Sequence, residues 1–225
     1  MTQSIQHITQ TDTNYPKRLK DYLKTDTPET IWIRGNINLL PERNTSLNGD
    51  LWALFCSSKC PGEIILKAHD LAQKFKETGT PTIGGYHSPI EKECLRVLLR
   101  GAQPILLCPA RSIEKMRPQQ AWKDALSEER LLILSIFENR HQSTVALANQ
   151  RNAFVAALAD KICIAHAAED SKILEFAQTV MAWGKPVFTF DTPTNKTLFE
   201  FGVQSMERGW THRSVQKNRS IGGFI

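Results

Sequence analysis

The chain has 225 residues, 41% of them hydrophobic and 23% charged, which is the composition of a globular protein with room for one full α/β domain and an appendage. No apolar run approaches the roughly 20 residues that cross a bilayer. The opening MTQSIQHITQ also lacks the basic and apolar regions of a secretion signal, so a cytoplasmic protein with no membrane partner is expected. The net charge of +5 favours an anionic partner without naming one.

The first dozen residues are polar and are expected to fray. Tyr15, Leu19, Tyr22 and Leu23 sit at helical spacing, and Ile31-Trp32-Ile33 is a short β-like run ending at Gly35-Asn36. Pro41–Asn48 is turn-rich and reads as a linker, so residues 1–48 form an N-terminal extension. From Asp50 the periodicity alternates. Strands are expected at Leu51–Cys56, Pro81–Ile83, Ile105–Cys108, Arg130–Phe137, Lys161–Ala165 and Pro186–Phe190. Helices are expected at Glu63–Thr78, from Ser88 to Gly101, and over Gln119–Glu129, Thr144–Ala159, Ser171–Trp183 and Asn195–Phe201. Ser88, Pro89 and Glu91 make a capping box with proline at the first helical position.

Six near-continuous apolar strands alternating with helices predict a doubly wound, mostly parallel Rossmann-like α/β sheet over residues 49–206. A basic tail, 207–225, follows, with Arg208, Arg213, Lys217 and Arg219 against Glu207. Cys94, Cys108 and Cys163 lie in apolar runs and read as reduced core residues. Cys56-x-x-x-Cys60 has no second Cys or His pair at ligand spacing, and the six histidines are scattered, so neither metal nor cofactor is expected.

In this architecture ligands sit beyond the carboxyl ends of the strands. Four exits therefore supply the candidates: Ser57-Ser58-Lys59; Gly84-Gly85-Tyr86-His87-Ser88; Arg111 after Cys108; and the segment from His166 to Ser171-Lys172. Glycines beside a capped helix N-terminus can cradle a phosphate, although a tight turn before a helix needs the same residues. Lys172 opposes the dipole of its helix, so it is either solvated or facing an anion. Arg151 falls on the apolar stripe of Leu147, Phe154, Val155 and Leu158, where a guanidinium must snorkel, pair or meet a ligand. A helix beginning instead near Gln150 would put Arg151-Asn152 in its first turn. His87 is either a phosphate contact or a loop histidine bonded to its neighbours, and Tyr86 offers a stacking face for a base.

At these residues the chain resembles the DNA-processing protein A family (DprA, or Smf), bacterial proteins with an extended Rossmann-type domain that bind single-stranded DNA and load RecA onto it. The resemblance runs from about Tyr15 to Met206. It is carried by Tyr15-Pro16-x-x-Leu19, Ile31–Asn36, Ser57-Ser58-Lys59, Gly84–Cys94, Gln150–Phe154 and Ala165–Leu174. Cys56 stands for the family's first glycine at the β-strand exit, Ala153 or Phe154 for the second arginine of its Arg-Asn-Arg, and Ser171-Lys172 for its Ser-Gly.

The resemblance implies a binder of single-stranded DNA in DNA processing and recombination, with a RecA-type recombinase as protein partner and a homodimer as assembly. Phosphates would lie on Ser57, Ser58, Lys59, Gly84, Gly85, Ser88, Arg111, Arg151, Asn152, Ser171 and Lys172. The wider superfamily includes nucleoside-monophosphate phosphoribohydrolases of the LOG type, with the signature Pro-Gly-Gly-x-Gly-Thr-x-x-Glu. Gly84-Gly85 with Ser88 and Glu91 partly match it, so the alternative is a mononucleotide sensor or an enzyme in which Glu91 assists departure of the base. As a capping-box acid Glu91 would be structural only.

Overall fold

The structure is a computed structural model that describes residues 4–41, 47, 49–168 and 171–209. The strands are β1 (Gln6–Thr9), β2 (Thr30–Gly35), β3 (Trp52–Cys56), β4 (Thr82–Gly84), β5 (Ile105–Leu107), β6 (Leu131–Ser135), β7 (Lys161–His166), β8 (Val187–Thr189) and β9 (Gln204–Ser205). They form one sheet in the order β1-β2-β6-β5-β4-β3-β7-β8-β9. From β6 to β9 every neighbouring pair is parallel, whereas β2 joins β6 and β1 joins β2 antiparallel.

The connections are helices α1 (Arg18–Leu23), α2 (Gly62–Thr78), α3 (Pro89–Leu98), α4 (Gln120–Ser127), α5 (Val145–Leu158), α6 (Lys172–Ala182), α7 (Lys196–Glu200) and α8 (Met206–Gly209). The chain steps outward from β3 to β4, β5 and β6, then returns through α5 to β7 on the other side of β3. The winding therefore reverses between β3 and β7, the kind of switch point at which ligands bind in such sheets.

Alternation along the strands builds two cores. Trp52, Leu54 and Cys56 of β3 pack with Ile64 and Phe75 of α2, Cys94 and Leu98 of α3, and Ala125 of α4. Ala53 and Phe55 point the other way, to Leu19 of α1, Phe154 and Leu158 of α5, and Val180 of α6. Burial on both faces is why these strands read as continuous apolar runs. Hydroxyl caps start the helices where expected: Ser88 Oγ accepts from Glu91 N, Thr144 Oγ1 from Leu147 N and Ser171 Oγ from Leu174 N.

The expectation of a frayed N-terminus is corrected. Gln6–Thr9 pairs with Thr30–Ile33 as an edge strand, and only Ile8 of the four is buried. A four-residue strand with one apolar anchor carries no periodicity to detect. The predicted linker lies largely outside the described residues, as do Glu169, Asp170 and the basic tail from residue 210 onward.

A buried lysine closes the helical layer below α5. Lys185 Nζ donates to Ala157 O (3.0 Å) and Ala159 O (2.5 Å) at the α5 C-terminus and stands 4.0 Å from the Tyr22 ring centroid. Burial pushes its pKa from 10.5 down to about 8; Arg18 adds to that shift and Asp160 opposes it. Between these two values the unfolded chain holds a proton that the folded chain has shed, so the lysine's contribution to stability rises with pH. Urea denaturation of wild type and Lys185→Met from pH 8 to 10.5 should show the difference moving in favour of wild type as pH rises; a flat difference would contradict it.

Candidate nucleic-acid interface

The β4 exit is shaped by what its two glycines leave room for. Tyr86 adopts the left-handed region, with φ of 46°, which turns its ring back beneath the strand. Its hydroxyl donates to Thr82 Oγ1 at 3.0 Å, and a Cβ on Gly84 would stand 3.1–3.3 Å from ring atoms. The ring is 4% exposed, which corrects the expected stacking role: no face of it is open to a base.

Gly85 makes room for Arg151. A Cβ there would fall 1.2 Å from Nη1 and 1.8 Å from Cζ of that guanidinium. Helix α5 begins at Val145, so Arg151 lies in its second turn on the buried stripe and not in the first turn. Nη1 donates to Cys108 O (3.0 Å) and Nε to Asn152 Oδ1 (2.9 Å). Nη2 makes no hydrogen bond with the described residues, and no carboxylate among them comes within ion-pair distance. Burial lowers the guanidinium's pKa, with Glu91 and Cys108 acting against that shift. An arginine nonetheless keeps its proton in proteins, so the group is a desolvated cation.

Glu91 is fully committed to main chain. Oε1 accepts from Cys56 N at 3.0 Å and Oε2 from His87 N at 2.8 Å, tying the β3 and β4 exits together from α3. Two amide bonds to a carboxylate that is 6% exposed make it a brace.

Arg151 looks into a cleft of about 460 Å³ between the exits of β4, β5 and β6. Gly85, His87, Lys92, Arg111, His141 and Arg151 are among its lining residues, and no carboxylate is. Three permanent cations around a hollow free of acids favour an anion. A larger hollow of about 690 Å³ lies at the opposite rim, where Asp124 and Glu128 offset Arg100 and Arg130.

Side chains from distant segments fix the cleft's far wall. Ser135 Oγ donates to Arg111 O (2.8 Å). Arg34 of β2 reaches over to donate to Met116 O (2.9 Å) and Ile113 O (3.4 Å). Ser112 Oγ and His141 Nδ1, 3.3 Å apart, link the β5 and β6 exits.

Of the residues expected to converge, Gly85, Tyr86, His87, Arg111 and Arg151 line this cleft, and Asn152 steadies Arg151 from behind. Ser58 and Lys59 are exposed on the neighbouring β3 exit. The hydroxyls of Ser57, Ser88 and Ser171 are engaged internally: Ser57 Oγ accepts from Ala168 N (3.1 Å), and the other two cap helices. Lys172 is exposed but held by both oxygens of Glu175 at 2.9 and 3.0 Å, so its dipole cost is met by a neighbouring acid. The four strand exits that supplied candidates therefore contribute unequally, and the cleft is built at β4, β5 and β6. Sequence reasoning overlooked Lys92, Arg96, Arg117 and Arg34. Lys92 and Arg96, four apart on α3, share one helix face, but the same spacing marks any solvated face, so nothing in the sequence set them at a hollow. Among the described residues, no group of three or more His, Cys, Asp or Glu could hold a metal ion.

Residues 6–219 match the family model described as DNA recombination-mediator protein A. The fold is similar to that of DNA processing protein A from Streptococcus pneumoniae, at 18% identity and a TM-score of 0.70 over 91% of this chain and 71% of that one. It is also similar to DNA processing protein A from Helicobacter pylori, described for its single-stranded DNA binding mode, at 22% identity and a TM-score of 0.69 over 91% and 93%. A molybdenum cofactor binding protein from Rippkaea orientalis shares the fold more distantly, at 13% identity and a TM-score of 0.50 over 71% and 89%. Comparison with curated protein sequences finds no match.

The glycine pair gives a direct test. Gly85→Ala should expel the guanidinium from its seat and lower the unfolding free energy by about 1–3 kcal/mol, the range for overpacking a filled site. Gly84→Ala, which needs only a few tenths of an ångström from the Tyr86 ring, should cost less in the same urea titration.

Proposed function

Because the chain belongs to the DNA recombination-mediator protein A family, we propose that it binds single-stranded DNA in DNA processing and recombination, with the strand's phosphates held at the cleft of Arg151, Arg111 and Lys92. One observation carries this reading. Arg151 as a residue is 5% exposed, leaves its Nη2 without a hydrogen bond to the described residues, and lines a hollow that no carboxylate lines. A desolvated cation of this kind is relieved by an anion, and charge-assisted bonds are shorter and stronger than neutral ones. Arg111 and Lys92 are exposed beside it, so successive phosphates can be met along the cleft. Lys59 and Ser58 at the adjoining exit extend the same rim. The solved relative from Helicobacter pylori, whose description concerns single-stranded DNA binding, supports the choice of polymer.

A RecA-type recombinase as protein partner, assembly as a homodimer and a cytoplasmic location complete the proposal on the strength of the family. No helix among the described residues is long and apolar enough to cross a membrane. The alternative of nucleoside-monophosphate hydrolysis needs Glu91 as an acid facing the ligand, and both of its oxygens are spent on amide groups of the main chain.

Titrating the protein into a labelled single-stranded oligonucleotide at increasing salt tests the proposal. The logarithm of the binding constant should fall linearly with the logarithm of salt, by roughly 0.7 per phosphate engaged. Arg111→Ala should shorten that slope by about one such step, with unfolding unchanged because the side chain is exposed. Affinity that is indifferent to salt would overturn the assignment.

A further inference from the structure

We propose that the hollow between α3 and the loop joining β5 to α4 is a slot for one unstacked nucleobase of the bound strand, with Trp122 as its stacking face. The inference rests on the strand-binding reading and adds to it a site for the base. The hollow has a volume of about 390 Å³ and adjoins the phosphate cleft, with which it shares Tyr86, Lys92, Arg111, Met116 and Trp122 as lining residues. This volume falls within the range of small-ligand sites.

The two halves differ in chemistry. Leu95, Leu99 and Met116 are buried and give the slot an apolar floor, beside the half-buried indole of Trp122. Lys92, Arg96 and Arg117 stand around its rim. Arg96 is ion-paired with Glu93, whereas no carboxylate lines the hollow itself. An apolar interior inside a cationic rim suits a flat, weakly polar group carried on an anionic backbone. A bare phosphate would leave the floor and the indole unused, and a wholly apolar partner would bury the rim cations. The flat π-face of a nucleobase suits the half-buried indole. Stacking of this kind tolerates any base.

The test compares three probes by fluorescence anisotropy or competition at fixed salt: oligothymidylate, an abasic deoxyribose-phosphate strand of equal length, and thymidine monophosphate. Wild type should hold oligothymidylate more tightly than the abasic strand. Trp122→Ala should weaken oligothymidylate roughly five- to a hundredfold, the span of base–aromatic stacking on alanine substitution. Its affinity for the abasic strand should fall by less than that for oligothymidylate, and an unchanged urea unfolding midpoint reports that the variant is folded. Trp122→Phe, which keeps a ring, should retain part of the preference. Equal weakening of both strands, or of neither, would overturn the slot while leaving strand binding in place. Binding of neither strand by wild type would overturn the strand-binding reading and the slot with it. Thymidine monophosphate competing as well as the strand, in a manner dependent on Trp122, would overturn the strand as the slot's occupant.

Discussion

The Arg151 guanidinium can lie against the β4 exit only because residue 85 has no side chain. That contact sets the position of the cleft. It fixes the guanidinium between the carbonyl of Cys108 on one strand exit and the backbone of another, with one nitrogen left facing the hollow. Taking a guanidinium out of water costs free energy, and the protein compensates only in part, with one carbonyl, one neighbouring amide oxygen and a more distant Glu91. The remaining demand for negative charge is what makes the cleft a receptor for an anion.

A cleft assembled from exits of three strands needs its loops held in register, and this molecule does so with single side chains. Glu91 ties the β3 and β4 exits, Ser57 ties β3 to β7, and Ser135 and Arg34 hold the loop after β5. All are buried or half-buried, where a hydrogen bond is costly to leave unmade. Glu91 shows how one residue serves two levels. At the third position of α3 its N–H is capped by Ser88, while its carboxylate bypasses the Ser88 N–H that a capping box would take and reaches the main chain of two neighbouring segments, at Cys56 and His87. The same commitment removes it from chemistry with a ligand.

Much of the fold was legible because parallel strands buried on both faces leave long apolar runs, and because Ser88, Thr144 and Ser171 announce helix starts through local bonds. Arg151 was legible for a related reason: a charge on an apolar stripe stands out against its neighbours. The inward turn of Tyr86 was not, since it depends on a left-handed backbone that only the packing of Gly84 makes visible. Lys172 looked available because its pairing with Glu175 is a choice of rotamers, outside the reach of pattern. The cations Lys92, Arg96 and Arg117 resembled an ordinary solvated helix face and loop, and only the tertiary neighbourhood sets them around a hollow. β1 escaped because a single buried isoleucine makes no pattern.

The antiparallel ribbon of β1 and β2 has a bearing on how the molecule comes into being. Arg34 sits opposite Ile133 in the sheet, so about a hundred residues separate β2 from the strand it must join. On a ribosome adding about 5–20 residues per second, the ribbon waits roughly 5–20 s before its docking edge exists. Over that interval its hydrogen-bonding edge is unsheltered, and the arginine that later fastens the loop after β5 has nothing to hold. β6 in turn precedes α5, which carries Arg151, and strands β7 to β9, so a nascent chain can dock the ribbon and secure the cleft's outer wall before the guanidinium that completes the site has been made.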